Sequence, residues 1–184
     1  GAALAGVLED PTLRPCLLPT AGSVENCNRL AAGDVDFALA QGDVVAMAYA
    51  GTGIFDGQAP ARELRVLSSL YPEAVQIVTL EGSGVIEFGD IVGRRVSLGE
   101  AGSGTRANAM RILRAAGVQV GQLAVADSQP TSAALDALAT GDLDVVFVTS
   151  AWPLGSLNEL ASRGSLRLVS LPEETLAVLA THDR

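Results

Sequence analysis

The chain has 184 residues, 48% hydrophobic and 18% charged, enough apolar material for one domain or two small lobes and too much for a disordered tail. Twelve basic residues against 21 acidic ones leave a net charge of −9, and no basic patch tracks a phosphate backbone, which argues against nucleic acid as a partner. All twelve basic residues are Arg, so lysine Schiff bases and Walker-type phosphate loops are excluded. In chain order, an apolar run at 12–19 (TLRPCLLP) precedes a helix predicted over 24–32, capped by Ser23 and closed by Gly33. A buried strand is predicted at 36–40 (DFALA), a helix at 43–49, a loop at 51–60 and strand-like runs at 64–70 and 75–80. Residues 88–91 lead into a short strand at 95–98, and the 99–102 turn opens a helix over 105–116 that ends at Gly117. The remainder reads as helix 132–139, buried strand 144–148 (DVVFV), helix 157–162, strand 166–171 and a last helix over 172–180. This alternation predicts an α/β fold with a largely parallel sheet.

Two cysteines, Cys16 and Cys27, and a single histidine, His182, cannot assemble a four-ligand zinc site, a Ser–His–Asp triad or a Cys–His pair. No metal or cofactor is therefore expected, and the chain does not read as an enzyme. The two thiols are either small buried hydrophobes or, in an oxidising compartment, a disulfide. Gly, Asp, Glu or Arg interrupts every apolar run before the length of a membrane span. No signal peptide is visible at Gly1, although a mature chain would have lost one.

One octapeptide recurs. Residues 30–37 read LAAGDVDF and residues 138–145 read LATGDLDV, an offset of 108 residues, too long for a solenoid. Each copy reads as a helix end, a Gly-Asp turn and a strand beginning with Asp, which predicts two similar α/β lobes. In open α/β sheets, ligands collect beyond the carboxyl ends of strands, where helix N-termini also point. Four segments fit. Thr20, Ala21, Gly22 and Ser23 lie between the first apolar run and its helix, and Gln41, Gly42 and Asp43 follow DFALA. Gly102, Ser103, Gly104 and Thr105 start the longest helix, and Thr149, Ser150, Ala151 and Trp152 follow DVVFV. The GSGT segment carries the clearest chemistry. Its glycines allow close backbone approach, its N–H groups suit a carboxylate, and Ser103, Thr105 and Arg106 add donors. Thr20, Ser23, Thr105 and Ser103 also serve as plain helix caps, and Asp43 is expected chiefly to cap its own helix. Gln41 offers a strand-end amide that both donates and accepts. Trp152, before Pro153, is either a stacking platform or packing between lobes.

At these segments the chain resembles the TAXI group of TRAP-transporter solute-binding proteins. The likeness rests on Gly22-Ser23-Val24-Glu25-Asn26, on AGDVDF at 32–37 running into Gln41-Gly42-Asp43, and on LRVLSSLYPE at 64–73. It continues through DIVGRRVSLGEAGSGT at 90–105, the most specific block, to Trp152-Pro153. The resemblance implies a type II periplasmic binding protein fold: two lobes, each a mostly parallel sheet flanked by helices, closing on a ligand. It implies a discontinuous lobe I over 1–75 plus 167–184 and a lobe II over 76–166. It further implies an extracytoplasmic protein that binds a small organic anion or an amino acid such as glutamate and serves a TRAP membrane permease pair without catalysis. Carried over residue by residue, the ligand contacts are Thr20, Gly22, Ser23, Gln41, Asp43, Ser103, Gly104 and Thr105, with Thr149 and Trp152.

Family members begin with a strand and a ligand-contacting loop that would precede Gly1-Ala2-Ala3-Leu4, and they continue past Arg184. A first lobe lacking its first strand would expose a sheet edge, favouring dimerisation, segment swapping or weak ligand binding. Two other readings compete: a ligand-sensing regulatory module of the same fold, and a transferase on a similar fold with GSGT cradling a phosphate. The missing lysine and the absence of an acid–base pair weigh against the transferase.

Overall fold

The computed structural model describes residues 5–7, 9, 12, 14–164 and 166–181. His182, Leu13 of the first apolar run and the four N-terminal residues lie outside the described residues. The chain divides into two compact units, Gly1–Leu64 and Arg65–Arg184.

In the first unit, helix α1 (Ser23–Ala32) and helix α2 (Gly42–Ala50) pack against each other around Val24, Cys27, Val44 and Ala48. Helix α1 ends as predicted at Gly33, whose φ of 78° suits glycine, and Gly51 closes α2 in the same way. Two expected strands are not formed, and the first apolar run forms none either. Residues 14–19, 37–40 and 64–70 carry no ladder hydrogen bonds, and Phe37, Leu39, Val66, Leu67 and Leu70 are exposed. Their apolar composition suits a pleated surface, but a strand exists only where a neighbour supplies N–H and C=O partners, and no described residue does so for these segments, the last of which runs into the second unit.

The second unit carries the sheet. Its strands are β1 (Ala74–Leu80), β2 (Arg95–Ser97), β3 (Val125–Asp127), β4 (Val145–Ser150) and β5 (Leu166–Leu168), in spatial order β3-β2-β4-β1-β5. Strand β2 pairs in parallel with β3 and β4, whereas β1 runs antiparallel to both β4 and β5. The sheet is thus mixed rather than mostly parallel. The reversal belongs to β1, which enters the sheet from the opposite end. The helices are α3 (Gly104–Ala115), α4 (Thr131–Thr140), α5 (Gly155–Arg163) and α6 (Glu173–Thr181).

Alternation along the strands sorts the core into two layers. Ile77, Val96, Val145 and Phe147 face Ala109, Ile112 and Leu113 of α3. Val78, Val146 and Val148 face Ala134, Leu135 and Leu138 of α4 and Leu157 and Leu160 of α5. Helices therefore cover both faces, which is why β1 and β4 read as continuous apolar runs. Arg95 fixes the β2–β4 register from the side: its backbone N–H, Nε and Nη2 donate to the Asp144 carboxylate at 2.8, 3.0 and 2.7 Å. This fork holds the Asp144 carboxyl below the usual carboxylate range, the Arg95 side-chain bonds being the main cause. No described helix is long and apolar enough to cross a membrane.

Candidate functional site

The topology of the second unit locates a crevice before any side chain is considered. From β2 the chain passes through α3 on one face to β3 at one edge. From β4 it passes through α5 on the other face to β5 at the opposite edge. Adjacent strands whose connections leave in opposite directions form a switch point, and ligands of open α/β sheets bind at its carboxyl end. Here it lies between β2 and β4, where the 99–102 loop leads into Ser103 and Thr105 meets Thr149.

Helix α3 starts there because Ser103 caps it. The Ser103 Oγ accepts from the Arg106 N–H at 3.0 Å, one of the four N–H groups a helix start leaves without intrahelical partners. Gly99 makes the approach possible. Its φ is 90°, and a Cβ there would lie 2.7 Å from Thr105 Cγ2 and 3.0 Å from the Arg106 nitrogen. The Arg106 guanidinium turns back onto the Gly99 carbonyl at 3.4 Å. The Thr105 Oγ1 accepts from the Thr149 N–H at 3.1 Å, clamping the helix start to the end of β4. The Thr149 hydroxyl itself is buried without a partner. Gln76, the β1 neighbour, donates from Nε2 to Ser150 Oγ at 3.2 Å while its Oε1 is buried and unpaired. Ser103, Gly104, Thr105 and Thr149 are thus brought together, whereas Trp152, just beyond, stands 62% exposed.

The first unit builds its own corner. The Ser23 hydroxyl accepts from the Gln41 N–H at 3.1 Å, so α1 and α2 begin beside each other, and neither has a side-chain cap. Gly22 precedes α1 at φ 135°, a conformation that favours glycine. Glu25 Oε2 reaches back to accept from the Ala21 N–H at 2.8 Å, and this bond, with the Arg29 guanidinium, holds the Glu25 carboxyl below its ordinary range. Thr20 spends its hydroxyl on Asn26 Oδ1 at 2.7 Å, and Asn26 Nδ2 donates to the Leu39 carbonyl at 2.8 Å. Asn26 is therefore the clasp of this corner, a role that its place in a helix did not advertise. Asp43 accepts from the Val44 N–H at 2.9 Å within its own helix, while Gln41 Oε1 is buried without a partner.

Both cysteines are free thiols: Cys16 is exposed and Cys27 is buried, its thiol pushed up to about 11 by burial. Among the described residues, no group of His, Cys, Asp and Glu is placed to hold a metal ion. Sequence reasoning missed Ser97 and Asp127. The Ser97 Oγ and the Asp127 Oδ2 are both buried and unpaired, and the two residues are ladder partners at the ends of β2 and β3.

A helix-covered mixed sheet with hydroxyls and a helix start gathered at its switch point is the architecture of a type II periplasmic binding protein-like domain. The two solved structures that match at a TM-score of 0.50 or above agree on that fold. The chain is similar to the alkanesulfonate-binding protein SsuA from Xanthomonas axonopodis pv. citri, solved bound to MOPS, at TM-score 0.52 and 19% identity. That match covers 83% of this chain and 48% of SsuA, so the chain spans about half the length of that relative. It is also similar to the AvGluR1 ligand-binding domain in complex with glutamate, at TM-score 0.50 and 18% identity over 91% of this chain and 71% of that one. The arginine-, lysine-, histidine-binding protein ArtJ from Geobacillus stearothermophilus matches at TM-score 0.43 and 19% identity, over 82% of this chain and 65% of ArtJ. Residues 7–183 match the NMT1-like family, and the chain belongs to it.

Proposed function

We propose that this protein is an extracytoplasmic solute-binding protein that captures a small organic anion or an amino acid and delivers it to a TRAP-type membrane permease. The observation that carries the reading is the corner at the β2–β4 switch point, where the start of α3, with Ser103 and Thr105, meets the unpaired Thr149 hydroxyl. N–H groups and hydroxyls at a helix start suit a carboxylate or sulfonate, and no lysine or histidine stands there to do chemistry on it. In the same reading Ser23 and Gln41, with Thr20, Gly22 and Asp43, form a ligand-contacting corner of the first unit, and Gly104 and Trp152 belong to the corner of the second. The relatives support it in kind: SsuA and AvGluR1 are described with an organic sulfonate buffer and with glutamate. The TRAP assignment and the extracytoplasmic location rest on the motif resemblance, above all on residues 90–105.

Calorimetric titration with L-glutamate, glutarate, L-leucine, taurine and ethanesulfonate tests the capture step. Saturable binding of at least one is expected, weakened by about tenfold or more in Thr105→Ala. Heats that stay at the dilution level with the whole panel would remove the reading. Uptake into vesicles carrying a TRAP permease pair tests delivery, and ligand transport that ignores the added protein would remove that half alone.

A further inference from the structure

Resting on the binding-protein reading above, we propose that Asp127 and Ser97 form an ammonium-binding subsite, so that the ligand is a small zwitterion rather than a simple anion. Ser97 is completely buried, yet its Oγ has no hydrogen-bond partner, and the Asp127 Oδ2 is likewise shielded and unpaired. The two residues are partners in the parallel β2–β3 ladder. Their neighbours Val96 and Ala126 pack toward α3, so Ser97 and Asp127 turn together to the opposite face of the sheet. They sit at the strands' carboxyl ends, at the root of the loop that carries α3: the Leu98 N–H donates to the Asp127 carbonyl at 3.1 Å, and Ser103 follows five residues later.

The chemistry of this pair is opposite to that of its surroundings. The helix start at Ser103–Thr105 offers donors, which an anionic group satisfies. Asp127 Oδ2 accepts only, and Ser97 Oγ accepts as readily as it donates, so together they call for a group rich in N–H. A protonated amine meets both oxygens with charge-assisted hydrogen bonds, whereas a carboxylate or sulfonate would set like charge against Asp127. Buried groups of this kind are normally paired, and a ligand that pairs them converts an unfavourable free state into binding selectivity.

The internal repeat shows that the helix start beside this pair is left open where its counterpart is closed. The offset that relates residues 30–37 to 138–145 also superposes α1 (Ser23–Ala32) on α4 (Thr131–Thr140), residue for residue. In the first unit the start of α1 is closed by the Ser23–Gln41 bond. At the equivalent start of α4 the N-cap is Pro130, which supplies no side-chain cap, and Asp127 stands just ahead of it at the end of β3.

The test uses matched probes: L-glutamate with glutarate, L-leucine with 4-methylpentanoate, and taurine with ethanesulfonate, titrated calorimetrically into the wild-type protein, Asp127→Asn and Ser97→Ala. In the wild type, the aminated member of whichever pair binds should be tighter by about 100-fold or more. Asp127→Asn should weaken that member by about 30-fold while leaving its desamino partner within about threefold. Ser97→Ala should move the same preference in the same direction by a smaller factor, and it keeps the proposal testable if Asp127→Asn does not fold by circular dichroism. Equal binding of aminated and desamino probes to the wild type would overturn the subsite but leave the capture of anions standing. Weakening of both members alike in Asp127→Asn would also overturn it, because the carboxylate would then be serving the fold through an internal water. Binding of desamino probes only would overturn it too, and binding of no probe would overturn the capture reading along with it.

Discussion

The two copies of the repeated octapeptide begin as the same structure and end as different ones. Gly33 and Gly141 both adopt φ 78°, with ψ 15° and 16°. Each donates three residues back, to Leu30 and to Leu138, at 3.1 Å. The following aspartates, Asp34 and Asp142, donate to Arg29 and Ala137 at 2.9 and 2.8 Å, completing the same helix-terminating motif. Three residues on, the copies part. Phe37 is 66% exposed and belongs to no strand, whereas its counterpart Val145 is fully buried in the middle of the sheet. Asp144 is forked by Arg95, while Asp36 lies exposed. A helix end is settled by five or six contiguous residues, so it repeats wherever the sequence repeats. A strand is settled by its neighbours, so it forms only where β1 and β2 are present to receive it.

The sharpest way to break this comparison is to truncate equivalent positions beyond the turn. Phe147→Ala removes a fully buried ring between β1 and α3 and should cost about 3–5 kcal/mol, whereas Leu39→Ala at the partly exposed counterpart should cost under about 1 kcal/mol. Urea unfolding of each variant measures both, and near-equal losses would contradict the assigned difference in packing. Within the turn the prediction inverts. A Cβ at Gly33 or Gly141 meets nothing within 4 Å, so Ala should cost about 1–2 kcal/mol of backbone strain at either site, and the two values should agree. The aspartates give the smallest and most condition-dependent contrast. Asp144→Asn should cost about 1 kcal/mol at neutral pH, discounted because Arg95 is partly exposed, and Asp36→Asn should cost nothing measurable. Because the folded-state Asp144 carboxyl lies below its ordinary value, its contribution is complete above the unfolded carboxylate range and is lost as the pH falls through the folded one. Acid titration of stability should therefore separate wild type from Asp144→Asn at neutral pH and bring them together in strong acid. A gap that is constant with pH would mean that charge is not the cause.

What the sequence disclosed follows the same division. Helix ends at Gly33, Gly117 and Gly141, the cap at Ser103 and the apolar runs of β1 and β4 were legible because each signal is local or coincides with a site that has partners. The 36–40 and 64–70 runs carry the same apolar signal without the partners, and no local pattern separates the two cases. In the candidate site, GSGT was legible as a helix start. Ser97 and Asp127 were not, because their meaning arises from a register between strands thirty residues apart, which leaves one hydroxyl and one carboxylate oxygen on the same face of the sheet without partners. Asn26 was quoted only as part of a motif, since its grip on Leu39 depends on how the chain returns after α1.

The position of β1 governs how the sheet can be made. It is the first strand of its unit to leave the ribosome and lies between the last two, with Ala74 opposite Ser150 and Leu80 opposite Leu166. At about 5–20 residues per second, synthesis leaves Ile77 and Val78 without a ladder for several seconds after they emerge. Two apolar faces must be kept from the wrong neighbours throughout that interval, and closing the long loop back to β1 makes the docking of β4 an intrinsically slow step. A product ending before β4 would leave both edges of β1 without a ladder, an arrangement open to pairing with other chains.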